Sequence, residues 1–131
     1  MQRSPTLQPL SREHHSALRL AKICKRAAFS SDGAEVRRAC LHAIQIYAGE
    51  LQAHFLFEEQ SLLPPLNGTP HQALAERTLA EHRQLRALLP GLNKNDAGAL
   101  KNFGNCLTEH VRFEERELFP VLENSLARQM I

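Results

Sequence analysis

The chain has no tryptophan, a single tyrosine and only 5% aromatic residues among its 131. Its net charge is only +2, with both signs interspersed and no basic block. Without a basic patch or aromatic-basic interleaving, nucleic acid is not an expected partner. No apolar run approaches the roughly 18 residues needed to cross a bilayer, so no membrane partner is expected either. Met1 to Leu10 lacks the apolar centre of a signal peptide, which places the protein in the cytoplasm by expectation. The three cysteines, Cys24, Cys40 and Cys106, are odd in number and show no C-x-x-C spacing. That excludes a full disulfide framework and suits free thiols in a reducing compartment. What remains is an ordinary globular balance, 43% hydrophobic and 23% charged, in a length that fits one domain spanning 1–131. Seven histidines are the one compositional oddity.

Turn-rich segments at Ser30 to Gly33, Pro64 to Pro70 and Pro90 to Asp96 divide the chain into four amphipathic stretches with no convincing strand. Helices are predicted at about 11–29, 33–63, 70–89 and 96–127. The first carries Leu10, His14, Ala17, Leu18, Ala21, Cys24 and Ala28 on one face. The second carries Val36, Cys40, Ala43, Tyr47, Leu51, His54, Glu58 and Leu62. Asp32 with Glu35 resembles a capping box ahead of it. The third has Thr69 as N-cap, Pro70 at the first position and Gln72 completing the box, with Ala75, Leu79, His82, Leu85 and Leu89 inward. The fourth starts near Asp96 and presents Leu100, Phe103, Leu107, His110, Glu114, Leu118 and Val121. Short connections between such helices predict an all-α, up-down-up-down antiparallel four-helix bundle.

Two segments repeat one another. His54 to Leu66 and His110 to Leu122 share the skeleton H-x-x-F-E-E-x-x-L-x-P-x-L. Positions i and i+4 lie on one helical face, so each repeat presents an imidazole beside a carboxylate. Pro64 and Pro120, six residues beyond Glu58 and Glu114, should end or kink their helices. Each helix thus places a histidine in its apolar stripe (His14, His54, His82 and His110), and two add a glutamate. Two ionised carboxylates inside a bundle cost several kcal/mol each unless paired or bound to a metal, and no lysine or arginine shares those stripes. A cation satisfies all six groups at once. Imidazole and carboxylate without thiolate suit iron or manganese, with zinc and copper also compatible. If both glutamates bridge and each metal takes two histidines, each metal keeps a position for dioxygen, nitric oxide or water.

His14 is in phase with the buried Ala17, Leu18 and Ala21, whereas His15 is in phase with Lys22 and Lys25; His14 is the choice, with His15 the alternative. Glu50, one turn before His54, is a candidate further ligand or hydrogen-bond partner, as are Tyr47 and Cys106. Glu59 and Glu115, about 100° round from the inner glutamates, are predicted at the surface, as are His42 and His71.

With Leu10-Ser11-Arg12-Glu13-His14, the doubled H-x-x-x-E with its proline, and Glu81-His82, the chain resembles the bacterial hemerythrin-like (HHE cation-binding) domains over essentially its whole length. The resemblance implies that His14, His54, Glu58, His82, His110 and Glu114 bind two iron ions joined by a bridging oxygen, manganese or zinc being the substitutes. It further implies a protein that engages oxygen, nitric oxide or peroxide, in oxygen or redox sensing, iron handling or stress response, more a ligand-binding protein than a dedicated enzyme. A di-metal oxidoreductase or ferroxidase of the ferritin-like type would need Glu-x-x-His pairs on two helices, and the chain has none; a metal-free helical interaction module is the remaining alternative. Oxygen-carrying hemerythrins place a further histidine one turn before the third-helix ligand. Here that residue is Thr78, and the one a turn after is Arg86, so the resemblance implies two similarly open metals.

Overall fold

The computed structural model of the chain describes residues 3–129. Four long helices account for most of them, and no strand occurs among the described residues. Helix α1 is Gln8–Phe29. Helix α2 covers 33–62, α3 is Gln72–Asn93, and α4 covers 97–129. Short links join them, so successive helices run in opposite directions and make an all-α four-helix bundle.

Several ends follow from local chemistry. The Asp32 side chain accepts from the amides of Ala34 and Glu35, and Asp96 accepts from Gly98, each satisfying donors that a helix start leaves free. The reciprocal half of the predicted box at Glu35 is replaced by Ser30, whose hydroxyl accepts from the Asp32 amide. At α3 the predicted start is two residues early. Thr69 Oγ1 accepts from His71, but the Gln72 side chain reaches Gly68 rather than Thr69, and the helix begins at Gln72. The other end of α3 runs past its predicted stop. Pro90 lies inside the helix, which continues to Asn93 because Leu92, 1% exposed, is anchored in the core.

Helices α2 and α4 are not uniformly α. Tyr47–Leu51, Glu58–Leu62 and Glu114–Leu118 are wide π turns with i to i+5 hydrogen bonds. The carbonyls of Glu58 and Glu114 accept from Leu63 and Phe119, each the residue immediately before a proline. After the first, Pro64 and Pro65 remove two consecutive amide donors, and α2 gives way to a single 3-10 turn, Pro64–Leu66. After the second, Pro120 stands alone and α4 continues.

Packing is close where α1 crosses α4. A side chain at Gly104 would come within 2.8 Å of Lys25 Cγ and 2.9 Å of the Ala21 carbonyl, so the close approach requires glycine. Burial on α1 accordingly leans toward α4. Leu20 and Ala27 are buried while Leu18, predicted inward, is 36% exposed. Buried apolar side chains form two separate clusters. The larger, including Leu20, Cys24, Cys40, Leu85, Leu100, Phe103 and Leu107, fills one end of the bundle. The smaller, including Leu7, Leu62, Leu66, Leu118 and Phe119, closes the other. A polar layer separates them.

Candidate metal centre

That layer contains His14, His54, Glu58, His82, His110 and Glu114, all nearly or fully buried. Each of the four helices contributes. The hydrophobic stripes of α1 to α4 carry their polar members at one common level, which aligns only because the connecting turns have the lengths they do. One atom from each of His14, His54, Glu58 and Glu114 lies within 4.8 Å of the others, and the same holds for Glu58, His82, His110 and Glu114. Both glutamates belong to both groups.

The contacts follow an approximate two-fold pattern. His14 Nε2 is 2.8 Å from Glu114 Oε1, and His82 Nε2 is 3.0 Å from Glu58 Oε1. Within the repeats, His54 Nε2 stands 3.4 Å from Glu58 Oε2 and His110 Nε2 stands 3.3 Å from Glu114 Oε2. These last four atoms form no hydrogen bond. Of the five buried side-chain atoms without a partner among the described residues, four are these, the fifth being Ser4 Oγ. Buried polar atoms are almost always satisfied, so this concentration at one point asks for a ligand. Nitrogen and oxygen donors in two overlapping sets of four fit a pair of metal cations.

Every histidine of the layer also has a second carboxylate on its outer nitrogen. His14 Nδ1 donates to Glu115 at 2.6 Å, His54 Nδ1 to Glu13 at 3.2 Å, His82 Nδ1 to Glu59 at 2.6 Å and His110 Nδ1 to Glu81 at 2.7 Å. In a neutral imidazole whose proton sits on Nδ1, Nε2 would present its lone pair inward to a metal. Carboxylates of this kind orient metal-ligating imidazoles. Each comes from a neighbouring helix: Glu13 beside His14 serves His54, and Glu81 beside His82 serves His110. The expectation that Glu59 and Glu115 lie free at the surface is therefore wrong. A π turn begins at each inner glutamate, and more residues per turn means a smaller angle between consecutive side chains. The second glutamate swings toward the next helix instead of solvent.

The other candidates fall outside the layer. His15 is exposed and His14 buried, which decides between them in favour of His14 as the inward residue. Glu50 is half-buried and joins neither group of four; Cys106 packs against the larger apolar cluster. Tyr47 touches the layer indirectly, its hydroxyl accepting from Arg86 Nε at 3.2 Å while Arg86 Nη2 donates to Glu59 at 2.9 Å. His42 and His71 are at the surface. Thr78 is fully buried with its hydroxyl donating to the Leu74 carbonyl. The duplicated Glu-His and Phe-Glu-Glu pairs are the sequence signal for Glu13, Glu81, Glu59 and Glu115.

Aromatic rings insulate the layer. Phe55 stacks on His82 with centroids 4.1 Å apart, and Phe119 stacks on His14 at 5.1 Å. In this dry setting the charges push one another strongly. Burial, then Glu114, raises Glu58 well above the usual carboxylate range. Burial would raise Glu114 too, but the His110 charge and the neighbouring Glu58 and His14 hold it well below. Burial works against a charge on His110, yet Glu114 and Glu81 push it up to about 10. Burial and the His110 charge bring His82 down to about 4. Free of metal, the layer thus favours the protonated forms of Glu58 and His110, and a cation would compete with those protons.

Residues 6–122 match the family model described as Hemerythrin HHE cation binding domain. No curated protein and no solved structure gives a match.

Proposed function

Because the chain belongs to the family of hemerythrin HHE cation-binding domains, we propose that it holds two iron ions in the polar layer and engages a diatomic ligand, dioxygen or nitric oxide. His14 and His54 would hold one ion and His82 and His110 the other, with Glu58 and Glu114 available to both. The observation that carries this reading is the sharing of both glutamates between two groups of four donors. A single tetrahedral site would leave two of the six groups without a role. A metal-free interaction module would leave four buried donor and acceptor atoms unsatisfied.

The side chains divide the work. Glu115, Glu13, Glu59 and Glu81 fix the imidazoles in the tautomer that donates electrons from Nε2. Phe55 and Phe119 keep water from the imidazole faces they cover. Redox-active ions, when bound, would supply electrons and a coordination position for the small ligand. Sensing, iron handling or stress response in the cytoplasm is the role this reading favours. No helix among the described residues is long and apolar enough to cross a membrane. The donor pairs are His-x-x-x-Glu, not the Glu-x-x-His of ferroxidases.

The test is metal analysis of anaerobically purified protein, followed by its visible spectrum on adding oxygen or nitric oxide. Two irons per chain and new absorption bands are expected. A colourless protein carrying only zinc, inert to both gases, overturns the reading.

A further inference from the structure

Three of the four outer carboxylates are held at least twice. Glu115 accepts from His14, from Ser11 Oγ at 2.9 Å and from Arg3 at 3.3 Å. Glu59 accepts from His82 and Arg86, and Glu81 accepts from His110 and from Arg77 Nε at 3.0 Å. Glu13 differs in each respect. Its hydrogen bond to His54, at 3.2 Å, is the longest of the four. No arginine, lysine or hydroxyl reaches it among the described residues. Its side chain is 32% exposed, and so is that of Glu115. Exposure therefore does not separate the two; the missing second anchor does. Glu13 and His54 also share the wall of a cavity of about 270 Å³ between α1 and α2, whose remaining walls include Pro9, Leu10, Ala53 and Phe57.

We propose that Glu13 is the metal-entry carboxylate of this chain, capturing a hydrated divalent cation at the mouth of that cavity and passing it to His54. The proposal rests on the metal-centre reading above. Among the described residues Glu13 is the only acidic group lining the cavity, and a lone negative charge among mostly apolar walls concentrates the field on an arriving cation. Carboxylate oxygen is a hard donor that a divalent cation accepts while still carrying most of its water. Leaving His54 breaks one long hydrogen bond, whereas moving any of the other three carboxylates breaks an ion pair with arginine as well. Waters then leave the cation as His54, His14, Glu58 and Glu114 take their places, and any proton held among these groups passes to solvent as they bind. Once the cation is seated, Glu13 returns to His54 Nδ1 and holds that imidazole in its ligating tautomer.

The experiment mixes the metal-free full chain with cobalt(II) in a stopped-flow instrument and follows the visible bands of the bound ion. Glu13→Gln removes the charge but keeps an amide oxygen for His54. It should load at least about tenfold more slowly and still reach two cobalt ions per chain. Glu35→Gln makes the same change of charge at the far end of α2 and should load like the wild type. Ala53→Phe narrows the mouth without altering any carboxylate and should also slow loading, so the route stays testable if Glu13→Gln fails to fold. Wild-type rates in both Glu13→Gln and Ala53→Phe overturn the entry route alone. A wild-type chain that takes up no cobalt overturns the metal centre itself.

Discussion

Replacing Glu59 by alanine should damage the metal centre although Glu59 touches no metal donor atom directly. The substitution removes the acceptor 2.6 Å from His82 Nδ1 and 2.9 Å from Arg86 Nη2. Arg86 is a third exposed and can turn to water. His82 is fully buried and stacked on Phe55, so its N–H would be left without a partner. An unsatisfied buried donor costs about 1–3 kcal/mol. Separately, loss of the orienting carboxylate typically weakens metal affinity by about 10–100-fold, which is about 1.4–2.8 kcal/mol at 1.4 kcal/mol per tenfold. The two figures overlap because they describe one event from two sides, an imidazole no longer held in its ligating tautomer. Competition with a coloured chelator for zinc or cobalt measures the affinity directly. Glu59→Gln, whose amide oxygen still accepts from His82, should recover part of the loss. A surface control such as Glu109→Ala should stay within about 0.5 kcal/mol of the wild type. If Glu59→Ala bound metal as tightly as that control, the hydrogen bond to His82 would have no part in ligation, and the argument for all four outer carboxylates would fail with it.

Glu58→Ala and Glu114→Ala each remove a carboxylate common to both groups of donors. Titration should show both tight sites lost, and one surviving site of full affinity would mean that the glutamate does not bridge. Stripping the metal should lower the melting temperature while circular dichroism stays helical. At free metal a hundredfold above Kd the bound form gains about 2.7 kcal/mol, on the order of 10 °C for a domain of this size, and equal melting of the two forms would count against a core site. The metal-free form should also lose stability as pH rises. His110, raised to about 10 by Glu114 and Glu81 against the effect of burial, contributes stability fully present below 6.5 and lost as pH climbs through 10. Glu58, raised by burial and by Glu114, acts in the same direction. Melting curves between pH 6.5 and 10 should therefore fall for the metal-free protein and stay flatter for the zinc-loaded one; parallel curves would refute the assignment. Finally, Thr78 occupies the place of the further histidine in oxygen-carrying hemerythrins, so the reduced iron-loaded protein should consume oxygen irreversibly. Rapid-mixing absorbance checks this against Thr78→His, and reversible oxygen spectra in the wild type would sink it.

The bundle and the level of its polar layer were legible in the sequence because both are carried by periodicity. A 3.6-residue stripe needs only local spacing, and the i to i+4 pairs His54–Glu58 and His110–Glu114 sit side by side on any helix that forms there. The duplicated skeleton announced the two-fold relation between α1–α2 and α3–α4 before any contact was known. The helix starts at Asp32 and Asp96 were readable for the same reason, since a cap is made with amides two or three residues away. The error at Pro90 arose where an energy from elsewhere outweighed a local preference, the buried Leu92 carrying α3 through its proline, whereas at Thr69 the Gln72 side chain found the Gly68 amide instead.

What the sequence could not decide was anything set by a neighbouring helix. Uniform 100° steps send Glu59 and Glu115 to solvent, but π turns at the inner glutamates change the step, and the partners His82 and His14 are supplied by other helices. Glu13 and Glu81 adjoin one histidine in sequence and serve another in space, a pairing visible only once α1 lies on α2 and α3 on α4. The inequality of the four carboxylates is likewise tertiary. Glu115 and Glu59 meet an arginine brought in from another part of the chain, Glu81 meets Arg77 one turn before it on its own helix, and Glu13 meets a cavity. Donor types and their spacing are covalent facts of the chain, whereas the outer contacts that orient each donor depend on distances between helices, which only packing determines.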